Sequence, residues 1–265
     1  TSQYTLSLHD ALPISARRLA AALGGTGVEP ELLEAAGSHT ITKLRVLSRS
    51  QHLMRLDIED GFAAADHAPF VERFRRGLEH AEVVVLSDYA KGTLGEVTPA
   101  LIRLAREAGR RVLVDPKQAD FSPYRGADVL TPNRGEFERA VGRCPDDAAL
   151  EARARAVLDE HDIGALLITR SAEGMTLVRR GEETVHLAAH RREVYDVTGA
   201  GDTVIGVTAA ALAAGHDLVD AVALANHAAA VVVGRLGAAQ VTLPELRAAV
   251  EGAGRAGRGG VVDPA

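Results

Sequence analysis

From about residue 83 the chain alternates short apolar runs with stretches of helical periodicity. Residues 83–86 (VVVL), 111–114 (RVLV), 129–130 and 165–169 (ALLIT) read as strands, and residues 99–108 and 150–158 read as helices between them. Continuously apolar strands separated by helices predict a mostly parallel sheet with helices on both faces. Residues 175–178 and 184–187, joined by the turn residues Arg180, Gly181 and Glu182, predict an antiparallel edge hairpin. Two helices follow, over residues 202–214, closed by Gly215, and over 218–233, with Asp217 as N-cap and Gly234 as stop. Upstream, residues 17–23 form a short helical stretch halted by Gly24 and Gly25, and residues 40–49 alternate as a strand whose hairpin partner is 51–59. One face of that strand carries Lys43, Arg45 and Arg49, which suits a flap over an anionic ligand and equally a solvated sheet face. The Gly- and Arg-rich tail from Gly252 is expected to fray. The fold class is therefore α/β, with a small β lid.

The 265 residues, 46% of them hydrophobic, suffice for one or two domains with a sizeable core. No apolar run approaches the roughly 20 residues of a membrane span. A formal charge of −6 gives the whole chain no electrostatic reason to seek nucleic acid or anionic lipid, so an anionic ligand needs a local site. The single cysteine, Cys144, cannot form an internal disulfide, in keeping with a reducing cytoplasm. All but three of the 30 basic residues are arginine, which draws attention to Lys43, Lys91 and Lys117. The ten histidines show no paired metal-ligand spacing. Residues 1–15 lack the basic start of a signal peptide, and their YTLSLHDALPIS run resembles translated sequencing adapter, so they are expected to be non-native.

In parallel α/β sheets, ligands bind at the carboxyl ends of the strands, so the loops there hold the candidates. Four carry polar signatures: SDYAKG (87–92), DPK (115–117), TPNRGE (131–136) and TRSAEG (169–174). The strongest segment is DVTGAGDTVIG, residues 196–206. Gly199, Ala200 and Gly201 lead into an apolar helix, so their N–H groups are expected to converge as an anion hole. Asp202 beside that hole is badly placed to bind phosphate but well placed to take a proton from a hydroxyl attacking it. A plain helix cap is the competing reading of Asp202. The Walker A loop and the GxGxxG dinucleotide fingerprint are both absent.

DVTGAGDT resembles the C-terminal signature of the ribokinase-like (PfkB) sugar kinases. With TITKLRVLSRSQHLMRLD, VVVLSDYAKGTL, VDPKQADFSPYRGADVLTPNRGEFE and LLITRSAEGMTL, the chain is similar, over about residues 16–249, to bacterial heptose 7-phosphate kinases. The resemblance implies a ribokinase-like three-layer kinase domain over residues 16–252, lid strands at about 38–60, and a flexible tail over 253–265. It implies ATP and Mg²⁺ as cofactors and a sugar phosphate as substrate, with a different sugar within the family, or an inactive nucleotide-binding fragment, as alternatives.

Carried over residue by residue, Asp202 becomes the base for the anomeric hydroxyl, with Gly199, Ala200 and Gly201 around the transferring phosphoryl group. Asn133 and Glu136 match an NxxE element whose Glu holds Mg²⁺ through water, and Lys117 becomes a phosphate contact. Thr169, Arg170, Ser171 and Gly174 fall in the nucleotide loop, where Arg170 and Ser171 replace the small residues usual in other members. Asn226 falls beside the adenine. Lys43, Arg45 and Arg55 in the lid, with Asp88 and Lys91, fall on the sugar side, and a homodimer through the lid strands is implied. The family's opening Gly-Asp strand and GGAxN segment are absent from this sequence, which implies missing sugar contacts, missing central strands and exposed edges. No adenylyltransferase module is present in the 265 residues.

Overall fold

The computed structural model describes residues 21–23, 27–33, 41–48, 51–58, 67–190, 195–237 and 239–258. The expectations for residues 1–15 and 259–265, most of the helical stretch at 17–23, and Arg49 lie outside the described residues. The chain divides into two compact units, one comprising Thr1–Phe74 with Lys91–Thr93 and the other Arg75–Ala90 with Leu94–Ala265.

In the first unit, β1 (Thr42–Ser48) and β2 (Gln51–Ile58) form an antiparallel hairpin. Leu44 faces Leu56 and Val46 faces Met54, whereas Lys43 lies opposite Asp57 and Arg45 opposite Arg55. The period of two thus divides an apolar face from a charged one. Like charges opposite each other are unfavourable, and Arg55 turns instead to Asp57, 2.9 Å away. The register shifts between Val46 and Leu47. Helix α1 (Ala68–Gly77) follows and runs across the boundary between the units.

The second unit is built on β3 (Val83–Ser87), β4 (Arg111–Asp115), β5 (Val129–Leu130), β6 (Ala165–Thr169), β7 (Met175–Arg179) and β8 (Val185–Leu187), hydrogen-bonded in that order. The first four are parallel, and β7 and β8 run antiparallel at the end of the sheet. Helix α2 (Thr98–Glu107) connects β3 to β4, α3 (Arg134–Val141) and α4 (Asp147–His161) connect β5 to β6, and β4 passes to β5 through a 3₁₀ turn at Ser122–Tyr124. Leu113, Val129, Leu167 and Leu177 meet Val204, Ile205, Leu212, Val222 and Ala225 of α5 (Ala200–Ala213) and α6 (Leu218–Val232) in one buried cluster. The alternate strand residues Val112, Val114, Leu130, Leu166 and Ile168 are equally buried, as expected for a sheet covered on both faces. Each such side chain contributes about 1.5–3 kcal/mol relative to exposure.

Two elements depart from the sequence reading. Residues 134–136, read as part of the functional loop 131–136, open α3, because Asn133 and Glu136 close a reciprocal capping box at its start. The tail does not loosen at Gly252: α7 (Leu243–Arg258) continues past it, where alanine and arginine, both good helix formers, offset the glycines.

Candidate active site

The carboxyl ends of β3, β4, β5 and β6 and the start of α5 carry the polar groups singled out above. At the start of α5, Gly199 takes φ +80°, a left-handed conformation that a side chain disfavours. The entry turn is braced by Asp196, whose Oδ1 accepts from the Thr198 amide at 2.9 Å and whose Oδ2 accepts from the Gly237 amide at 3.0 Å. The first-turn amides of a helix have no intrahelical acceptor. One of the three expected donors is engaged nonetheless: the Ala200 amide donates to the Val197 carbonyl at 3.2 Å. The helix then locks at Thr203, whose amide and hydroxyl both donate to the Gly199 carbonyl at 2.9 Å. Asp202 stands exposed in this first turn and accepts a hydrogen bond from the Tyr89 hydroxyl at 3.3 Å.

A second cluster joins the β4 loop to α3. Lys117 Nζ lies 3.1 Å from Asp115 Oδ1 and 2.9 Å from Glu136 Oε1. The other Glu136 oxygen accepts from the Asn133 amide at 2.8 Å, and Asn133 Oδ1 accepts from the Glu136 amide at 2.9 Å. The NxxE spacing therefore both caps a helix and aims a carboxylate. Burial pushes the Asp115 carboxyl up; Lys117 opposes that shift, while the charges of Glu136 and Asp202 reinforce it. For Lys117, burial acts downward, but the bonds and charges of Glu136 and Asp115 together raise its value. These mutual influences put Asp115, Lys117, Glu136 and Asp202 in one electrostatic neighbourhood.

The donor set fits a hard cation bound mainly by phosphate oxygens. Two nearly buried carboxylates, Asp115 and Glu136, share a single ammonium, and each retains acceptor capacity for water. Among the described residues no group of three or more His, Cys, Asp or Glu forms a metal cage.

Other expected site residues are engaged inside the protein. The Asp88 carboxylate is buried, accepting from the Ala90 amide at 2.7 Å, from Gln118 Nε2 at 2.8 Å and from the Tyr124 hydroxyl at 2.7 Å. It shapes the 87–92 loop, with Ala90 held at φ +54°, and ties that loop to the one bearing Lys117. Arg170 points into its own loop, toward Asp147 at 2.6 Å, Thr176 at 3.0 Å and Glu173. Ser171 lies at φ +53° in the following 3₁₀ turn. The Thr169 amide donates to the Pro132 carbonyl at 3.0 Å, extending the parallel pairing to Asn133. Gly174, at φ +93°, lies so close to the strand end that an added Cβ would sit 2.0 Å from the Leu187 carbonyl oxygen. Asn226 is buried on α6 and donates to the Ala188 carbonyl at 2.9 Å, while its neighbour His227 stacks on His190 with ring centres 4.1 Å apart. Lys43, Arg45, Arg55 and Lys91 belong to the first unit, and Arg55 is exposed there.

The sequence reading missed two members of this neighbourhood. Asp115 carried a usable signal, an acid directly at the carboxyl end of a parallel strand. Tyr89 carried none beyond its place in SDYAKG, because its partner is 113 residues away.

A carboxylate at a helix start near cation-bridged acids is an arrangement chemically able to serve phosphoryl transfer. Residues 15–246 match the pfkB family carbohydrate kinases, and the chain belongs to that family. Among curated relatives, the bifunctional protein HldE of Methylococcus capsulatus is 56% identical over 240 residues, covering 91% of this chain and 50% of that protein. The HldE of Halorhodospira halophila is 54% identical over 253 residues, covering 94% and 53% respectively. The chain thus spans about half the length of these relatives. Among solved structures, Escherichia coli phosphofructokinase-2 aligns with a TM-score of 0.75 at 18% identity, over 90% of this chain and 79% of that one. Thermotoga maritima ribokinase aligns with a TM-score of 0.71 at 20% identity, over 89% and 77%. These two likenesses establish a ribokinase-like fold.

Proposed function

We propose that the chain catalyses ATP-dependent phosphorylation of D-glycero-D-manno-heptose 7-phosphate at O1, giving heptose 1,7-bisphosphate and ADP. The observation that carries this reading is an exposed Asp202 beside the first-turn amides of α5, within electrostatic reach of the Asp115–Lys117–Glu136 cluster. The sugar O1 proton passes to Asp202 as O1 attacks the γ-phosphorus and the bond to the ADP oxygen breaks. Amides at the start of α5 stabilise the charge spread over the transferring oxygens, and Lys117 moves from its carboxylate partners toward phosphate. Asp115 and Glu136 would hold Mg²⁺, which would neutralise charge on the nucleotide phosphates.

The heptose assignment rests on identity above 50% to proteins named HldE, together with the sequence blocks quoted above. It places the product among precursors of ADP-heptose and lipopolysaccharide core, made in the cytoplasm. No described helix is long and apolar enough to cross a membrane. The apolar side chains exposed on the lid hairpin, Leu44, Leu53, Met54, Leu56 and Ile58, favour a homodimer through that element. The deciding experiment is a coupled ADP-release assay offering heptose 7-phosphate, ribose and fructose phosphates in parallel. Turnover selective for the heptose, and lost in Asp202→Asn, is the expected result; preference for another sugar, or full activity in the variant, overturns it.

A further inference from the structure

The 87–92 loop presents an aromatic hydroxyl to the proposed base, and nothing in the phosphoryl-transfer scheme above uses it. Tyr89 donates to Asp202 Oδ1 at 3.3 Å. Among the described residues Asp202 has no other side-chain hydrogen bond, and its place in an exposed first turn leaves its rotamer otherwise unrestrained. The backbone at Tyr89 is held on both sides, although the residue is 54% exposed. Its neighbour Asp88 is anchored by Tyr124, Gln118 and the Ala90 amide, and Ala90 is held in a left-handed conformation that reverses the chain directly after the tyrosine.

We propose that Tyr89 is a positioning residue for Asp202: it holds Oδ1 and leaves Oδ2 for the acceptor hydroxyl. The role rests on the kinase reading above. A base fixed in one rotamer meets its substrate proton in line, whereas a freely turning carboxylate presents that geometry only part of the time. The same contact marks the tyrosine. Its phenol is held above the usual value chiefly by burial, then by the Asp202 charge, with the hydrogen bond to Asp202 adding to it.

The test uses the full chain labelled with ¹³Cζ-tyrosine, the Tyr89 signal being assigned by its loss in Tyr89→Phe. In Asp202→Asn the Tyr89 titration midpoint moves down by about half a unit or more, since the charge that opposes phenolate is gone. In turnover, Tyr89→Phe lowers kcat about tenfold, the loss expected when one hydrogen bond to a charged group is removed, with KM for ATP within about twofold of the parent. A Tyr89 midpoint unmoved by Asp202→Asn, or an unchanged kcat in Tyr89→Phe, overturns the proposal. If the parent chain turns over no sugar, the kinase reading fails by itself, and the titration still decides whether the pair exists.

Discussion

Two loops of similar length and similar sequence promise have opposite internal economies. The turn into α5 is made of small residues, leaves Asp202 in solvent and braces itself from behind through Asp196. The loop after β6 does the reverse: Arg170 bonds to Asp147, Glu173 and Thr176, and Gly174 is pressed against the end of β8. In the first, Asp202 stays exposed, with the Tyr89 hydroxyl as its one side-chain hydrogen-bond partner among the described residues. In the second, the protein engages the Arg170 head group itself, although its buried Nε has no partner among the described residues. A polar loop at the right edge of a sheet is thus an active loop only where its hydrogen-bonding capacity is left open.

The largest effect that sharpens this contrast is on chemistry. Asp202→Asn is expected to lower turnover about a thousandfold, within the range for a general base, while ATP affinity measured by calorimetry stays close to the parent. Next comes Gly174→Ala, which forces a Cβ into the Leu187 carbonyl at a positive φ. It should cost about 3 kcal/mol in urea unfolding, the upper end for overpacking. Arg170→Ala is expected to lower stability by about 1.5 kcal/mol through its lost charge-assisted bonds, with KM for ATP little changed. An ATP KM raised tenfold without loss of stability would show that Arg170 faces the nucleotide and would break the comparison. In the open turn, an added Cβ at Gly201 meets nothing within 4 Å. Gly201→Ala should therefore raise stability by about 0.5 kcal/mol, as glycine gives way to alanine in a helix. On the proposed kinase reading, which brings the phosphates to that backbone, it should nonetheless weaken ATP binding.

The smallest expected effect concerns pH. The Glu245 carboxyl is held down to about 2 by its bond to Arg235 and by the Thr242 amide and hydroxyl. A carboxyl depressed in the folded state lends stability above its unfolded value of 4.5, and that contribution is lost as pH falls through about 2. Parent and Glu245→Gln melting curves should accordingly differ at pH 6 and converge toward pH 2. For Asp115 the sign is opposite: its value is raised, so its ionised form opposes folding once pH exceeds the unfolded value. Asp115→Asn should then melt no lower than the parent at pH 7 while weakening the Mg²⁺ dependence of turnover.

Local pattern carried much of the architecture. The strands at 83–86, 111–114, 129–130 and 165–169 lie within one residue of their observed ends, and Asp217 caps α6 as read, its side chain accepting from the Asp220 amide at 2.9 Å. These are short-range facts, set by side-chain periodicity and by groups three residues apart. α3 was missed although its capping box is equally local, because NRGE was read for chemistry alone.

What sequence by itself determined here is the alternation of strand and helix, the turn into α5 and the acid beside it, since each depends on residues within one or two turns of each other. Tertiary structure alone decided which polar groups remain available. Asp88 turns inward to Tyr124, Lys117 bridges Asp115 and Glu136, and Tyr89 reaches Asp202 across 113 residues. Those outcomes depend on which loops the sheet brings together, and a buried polar group takes whichever partner that packing offers, because leaving it unpaired costs more than the bond itself is worth.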